Sequence, residues 1–445
     1  MRSKVKVPDN GTFMVERFEP QSPAQLENEK KPSHLMDVFP MGDGFLEHYR
    51  AIEGKEQKTI EIMRDVVYTF LDQALKNTRI FKSEALGAEF PFTVVSVKEL
   101  AAEILSHYEN LPEVPILAEN KNEEQGEGKR EAQKMEFIMS SFSSFRGGSQ
   151  FAYAEFAIHQ AIKLLPRAIE SLKNGKEPED YKIYTLGSPT NEMGNMEENF
   201  SLQFMEKPFE AIGKLYAECV SSELSRLDEK EKNASITLKG VSMGASMAAE
   251  TAALLIQENK VTQETGRKDL PKLALNMYVP AALNESFLRK LQVPLGFVAE
   301  GIYQFATEQG VRKVILGQGG FFDKMYQVLP ENIRPRMDES QTKRKTEGLG
   351  ALKKAVMSGS PLPEKIKVSE TVGVYDPLMF SMDRKRQYDR RMTGYAGSLG
   401  ANVLPSKKGE RIFGLKMTHR VPFFRNNEFK RWDKLAEIIS SLKKQ

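Results

Sequence analysis

The segment Gly240-Val241-Ser242-Met243-Gly244 carries the residue types that nucleophilic catalysis by a hydroxyl needs. A serine is a poor nucleophile at neutral pH unless a base stands within hydrogen-bond reach and a third group orients that base. The two glycines matter because a serine raised on a very tight turn holds strained backbone angles. Side chains two residues before and after it would collide there. The gain is a projecting Oγ beside the N–H groups that open the following helix. The bare pattern is weakly specific in a chain with 31 glycines. Its setting says more. ASITLK (234–239) is a β-prone run before it, and ASMAAETAALLIQ (245–257) is a helix former with small residues on its early turns behind it.

The base and its orienter can be sought by position. Of the five histidines, His34, His48, His107, His159 and His419, only His419 follows Ser242. It ends RIFGLKMTH (411–419), just past a late β-prone run and ahead of the closing helical segment. An acidic orienter belongs at the end of another strand between serine and histidine. Asp376 fits, because VGVYD (372–376) stops there and Pro377 turns the chain. An ordinary Asp-Pro turn is the plainer account of the same residues. Glu370 lies inside that run, and Asp383 and Asp389 fall in the basic stretch RKRQYDRR (384–391) or just before it.

These side chains need a scaffold, and the apolar pattern supplies one. MEFIMSS (135–141), YKIYTLGSPT (181–190), ASITLKG (234–240), KLALNMYVPA (272–281), KIKVSETVGVYD (365–376), GANVLPS (400–406) and ERIFGLKMTH (410–419) read as strands. Helical patterns separate the early ones: 151–175, 204–227 and 245–257, with a last helix near 428–444. Strands alternating with helices of ten or more residues predict a mostly parallel α/β sheet with helices on both faces. The interval 283–364 breaks the alternation, is rich in helical pattern and aromatic residues, and is too long for one connection. It predicts an inserted helical subdomain with a polar stretch at 338–348. Ahead of the alternation, 1–45 reads as an extended arm. Residues 46–134 read as largely helical, with one β-like run at 90–97 and a charged loop at 118–134.

Composition narrows the function classes. Hydrophobic residues make up 40% and charged residues 28%, with net charge +3 and the two signs intermixed, so nothing marks a nucleic-acid face. The 384–391 run reads as a solvated surface, with an anion-binding patch as the lesser alternative. No stretch approaches the roughly 18 apolar residues of a membrane span, which predicts no integral membrane segment and a cytoplasmic protein. Cys219 is the only cysteine, so no intrachain disulfide can form, and its helical setting reads as a small buried apolar residue. No HExxH, paired cysteines, phosphate-cradling Gly-Lys loop or dinucleotide glycine signature occurs, so no metal and no cofactor is expected. Homo-oligomerisation is left open.

Taken together, Gly240-Val241-Ser242-Met243-Gly244 between strand and helix, Asp376 after a later strand and His419 after the last one resemble the α/β-hydrolase superfamily, whose chain order is Ser…Asp/Glu…His. The likeness implies a core of 135–282 and 365–445, with 283–364 as a lid or cap. It also implies two-step acyl transfer: Ser242 attacks a carbonyl, His419 carries the proton, and Asp376 steadies His419. The backbone N–H of Met243 is the implied first oxyanion donor. The second is expected in FSSFRGGSQ (142–150), at Phe142 or Ser143, where the His-Gly usual in the family is absent. GSPTNEMG (187–194) is a further candidate for lining the pocket. Phe297, Tyr303, Phe305, Phe321, Phe322 and Tyr326 offer apolar surface for a small-molecule acyl substrate, a carboxylic ester or thioester, with an amide or peptide bond open to the same machinery. The competing reading keeps the fold without the chemistry, as a binding or scaffolding protein.

Overall fold

The computed structural model describes residues 57–108, 133–139, 154–179, 181–190, 194–227, 234–264, 270–278, 339–358, 366, 368–373, 401–404, 411–412, 415–416 and 426–442. Nine strands form one sheet: β1 (Thr78–Ser83), β2 (Ala88–Ser96), β3 (Lys134–Met139), β4 (Tyr181–Leu186), β5 (Asn195–Met196), β6 (Ser235–Val241), β7 (Lys272–Tyr278), β8 (Ser369–Gly373) and β9 (Ala401–Leu404). Their order is β1-β2-β4-β3-β6-β7-β8-β9, with β5 paired to β2. From β4 to β9 every pairing is parallel, whereas β2 is antiparallel to β1, β4 and β5.

Parallel strands buried on both faces need apolar side chains at alternate positions on each side. In β3 the alternation is direct. Met135, Phe137 and Met139 enter one apolar layer, and Ile138 enters the other. The first layer is closed by α4 (Glu198–Glu206), α5 (Pro208–Ser225), α6 (Gly244–Gln257) and α7 (Glu339–Ser358). The second is closed by α1 (Gln57–Lys76), α2 (Val97–Tyr108), α3 (Ala154–Lys173) and α8 (Asn426–Leu442). Among the described residues no helix is long and apolar enough to cross a membrane.

The N-terminal region both adds strands and covers the sheet. Its β-like run at 90–97 is β2, TRIFKS (78–83) adds β1 at the edge, and α1 and α2 pack over one face. The helical pattern read as continuous over 204–227 is two helices. Pro208 takes the first turn of α5, where its missing N–H goes unnoticed, and Lys207 before it turns extended, with φ −137° and ψ 74°. Of the polar stretch at 338–348, residues 339–348 lie in a 20-residue helix, α7. The run at 410–419 is not a further strand of the main sheet. Among the described residues Arg411–Ile412 (β10) and Leu415–Lys416 (β11) pair only with each other, as two short antiparallel strands.

Residues of α7 also finish the sheet near β5. The Gln341 side-chain amide accepts from Met196 N–H at 3.2 Å and donates to Met196 O at 2.9 Å, imitating a strand partner, and Arg344 Nη1 donates to the same carbonyl at 2.9 Å. A short strand edge is thereby closed by side chains instead of backbone.

The α3–α8 contact contains a buried histidine. His159 is 8% exposed, and its ring centre lies 5.7 Å from that of Trp432. Burial first, then the Arg431 and Lys239 cations, push its pKa down from 6.5 to about 3. The unfolded chain therefore binds a proton between these values that the folded chain refuses, so stability falls as pH drops through that window, by up to about 1.4 kcal/mol per pH unit. His159→Gln removes this term. Urea unfolding between pH 6.5 and pH 4 should give a flatter stability profile for the variant than for wild type, and equal slopes would contradict it.

Candidate active site

β6 delivers its last residues directly into α6, and the junction is Ser242. Its φ is 52°, one of two positive values at non-glycine positions among the described residues; the other, Asn259, is a residue type that tolerates this region. A serine held there is strained, and the surrounding hydrogen bonds explain why it stays. Its N–H donates to Tyr278 O at the end of β7 (2.9 Å), and its carbonyl accepts from Ala245 N–H (3.1 Å). Ser246 N–H donates to Met243 O at 3.1 Å. The turn is stitched to the neighbouring strand on one side and to its own helix on the other.

Both glycines of the motif sit inside this junction. A Cβ on Gly240 would lie 2.4 Å from Ala245 Cα and 2.5 Å from Gly244 O, backbone atoms that cannot swing aside. Gly244 begins α6 and is buried. Ala245, Ala248, Ala249 and Ala252 are fully buried, which lets the helix lie close against the sheet and α5. Met243 is fully buried too, with its side chain in the apolar layer. What Met243 can offer a reaction is its backbone N–H at the start of α6. Ser242 itself is 9% exposed.

Parallel strands end at one rim, and register fixes which ends meet there. Met139 at the end of β3 faces Gly240, Val241 faces Tyr278, and Met277 faces Glu370 of β8. β3 thus ends three residues before Phe142, and β8 three residues before Asp376, at the rim that carries Ser242. Phe142, Ser143, Asp376 and His419, the aromatic residues of 297–326 and the basic run 384–391 lie outside the described residues. Glu370 is a strand residue, registered between Met277 and Ala401.

The loop after β4 is committed to structure at its start. Ser188 and Thr190 are 1% and 4% exposed, and their hydroxyls bond each other at 2.9 Å. Gly187 approaches Pro91 so closely that a Cβ would lie 2.4 Å from its carbonyl oxygen, and its own carbonyl accepts from Tyr216 Oη at 2.5 Å. Thr190 N–H also donates to Ser188 Oγ at 3.2 Å, so these hydroxyls take part in the turn. Cys219 is fully buried, and burial pushes its thiol well above the usual range, in keeping with a packing role. The sequence carried no sign of Tyr278's part in the site, because Tyr278 acts through a backbone carbonyl.

No protein-family model matches the chain, and no curated protein does. Among solved structures the chain is similar to the peroxisomal α/β-hydrolase Lpx1 from Saccharomyces cerevisiae, with 10% identity, TM-score 0.37, and 83% of this chain and 89% of that chain covered. It is also similar to an esterase from Pyrobaculum calidifontis, with 11% identity, TM-score 0.33, and 96% and 99% covered. A third is the mouse α/β hydrolase domain-containing protein 10, with 13% identity, TM-score 0.29, and 82% and 99% covered.

The strain at Ser242 has a measurable sign. Ser242→Gly relieves the left-handed backbone and Ser242→Ala does not, so in urea unfolding the glycine variant should be more stable than the alanine variant by about 1 kcal/mol. The reverse order would mean an unstrained turn. Gly240→Ala should lose about 1–3 kcal/mol through the backbone overlap. A mostly parallel sheet whose second strand runs antiparallel, with a strained serine at the strand-to-helix turn near its centre, gives this chain an α/β-hydrolase-like fold.

Proposed function

We propose that the chain is a serine hydrolase that cleaves a carboxylic ester or thioester through an acyl-enzyme on Ser242, with His419 as general base and acid and Asp376 orienting His419. The observation that carries this reading is the Ser242 φ of 52°, maintained against its strain by hydrogen bonds to β7 and α6. Strain of this kind persists where the fold over-determines it and clusters at reacting groups.

In the proposed reaction His419 takes the hydroxyl proton as Ser242 Oγ attacks the carbonyl carbon. The oxyanion that forms is met by the Met243 N–H, with Phe142 or Ser143 as the second donor. A backbone donor aimed at that oxygen contributes about 2.7–4 kcal/mol to lowering the barrier. His419 then protonates the leaving group, and water, activated by the same imidazole, releases the acyl group and restores Ser242. Asp376 holds the imidazole in the tautomer that faces Ser242 and stabilises the imidazolium. Within 283–364, the segment ahead of α7 serves as a cap whose aromatic residues favour an apolar acyl group, while α7 itself packs on the sheet.

A fluorophosphonate probe should label wild type and fail to label Ser242→Ala. A folded wild type that stays unlabelled would favour a non-catalytic binding protein. On p-nitrophenyl esters and acyl thioesters of graded chain length, His419→Ala should lower kcat by about 10⁴-fold or more while the circular dichroism spectrum is retained. Near-normal turnover would exclude it as the base. Asp376→Asn should lower turnover strongly. A silent Asp376→Asn beside an inactive Glu370→Gln would move the acid to Glu370.

A further inference from the structure

The apolar layer between the sheet and α1, α2, α3 and α8 contains a closed ring of polar side chains. Lys239 Nζ of β6 meets Glu136 Oε1 of β3 at 2.6 Å, with 9% and 1% of the two side chains exposed. The Tyr181 hydroxyl of β4 donates to Glu136 Oε2 at 2.7 Å. Gln160 Nε2 of α3 donates to the Tyr181 oxygen at 3.0 Å, and Lys239 Nζ donates to Gln160 Oε1 at 3.1 Å, which closes the ring. The ammonium also lies 6.0 Å from the ring centre of Tyr278 in β7. One cation thereby ties four neighbouring strands, β4, β3, β6 and β7, to the helix above them.

Net stability does not explain such a group. The desolvation of a buried ion pair roughly offsets its attraction, and well-packed apolar residues often do as well. What the ring imposes is geometry, because three hydrogen bonds and one ion pair join its four members in one register and one placement of α3. Its location gives that geometry a use. Lys239 adjoins Gly240 and precedes Ser242 by three residues, and Tyr278 beside its ammonium supplies the carbonyl that holds Ser242 N–H.

We propose that Lys239, held by Glu136, Tyr181 and Gln160, is a positioning residue for Ser242: the ring fixes the ends of β6 and β7 and so keeps the strained turn in its reactive geometry. The effect on chemistry rests on Ser242 being the nucleophile; the effect on the turn does not.

The test uses Lys239→Met and the triple variant Lys239→Met/Glu136→Met/Tyr181→Phe in the full chain. The single change strands the Glu136 carboxylate and should destabilise strongly. The triple change removes the buried ion pair and the Tyr181 hydroxyl together, leaving only the half-buried Gln160 amide of the ring, and should recover most of the loss in urea unfolding. Even so, the amides of 240–246 should exchange hydrogen faster in the triple variant than in wild type. Fluorophosphonate labelling of Ser242 should slow by about 10- to 100-fold. Wild-type exchange and labelling in a stable triple variant would overturn the proposal. If wild type itself does not label, the nucleophile reading fails and exchange at 240–246 alone decides positioning. If the triple variant does not fold, Tyr181→Phe takes its place. Faster exchange at 240–246 with unchanged exchange in α2 supports the proposal, and unchanged exchange at both overturns it.

Discussion

The architecture turns on one steric contact, the approach of Gly240 to the backbone of Gly244 and Ala245. Strand and helix come so close there that no Cβ fits at position 240, and the residue between them is driven into the left-handed region. A chain relaxes such a bend unless its neighbours prevent it. Here β7 prevents it through the Tyr278 carbonyl, and α6 prevents it through its first amide hydrogen bonds. The alanines of α6 are the same constraint seen from the helix, since larger side chains would lift it off the sheet and open the turn.

Both faces of the sheet are organised around this point, by different physics. Under α4, α5, α6 and α7 the layer is mostly apolar, with isolated buried polar groups such as Thr251 and Glu223, and holds α6 by packing. Under α1, α2, α3 and α8 the packing surrounds the Lys239–Glu136–Tyr181–Gln160 ring, which is directional and therefore sensitive to register. Packing alone tolerates small slips of a strand, whereas a ring of directed hydrogen bonds closed by an ion pair does not. A sheet that presents a strained serine at its rim is served by having one face of each kind.

The strands and helices nearest Ser242 were legible because their apolar periodicity is strong and their ends are marked by Gly and Pro. β3, β4, β6 and β7 all fall where the pattern puts them. Two breaks were missed for local reasons. Pro208 reads as a tolerated interruption in an apolar pattern that continues across it, and the composition of 410–419 suits one strand although 411–412 and 415–416 pair with each other. TRIFKS has the alternation of an edge strand but too few apolar residues to stand out from the helix before it. At the site, the glycine spacing foretold the turn. The buried ring could not be foreseen, because Lys239, Glu136 and Tyr181 sit in separate strands whose adjacency exists only after folding.

The most direct test of the account is pre-steady-state mixing of wild type with a p-nitrophenyl ester, followed by acid quench and peptide mapping. The account predicts a burst of one p-nitrophenolate per active chain and an acyl group recovered on Ser242. A linear release with no burst and no acylated peptide, or an acyl group carried by any other residue, would contradict it.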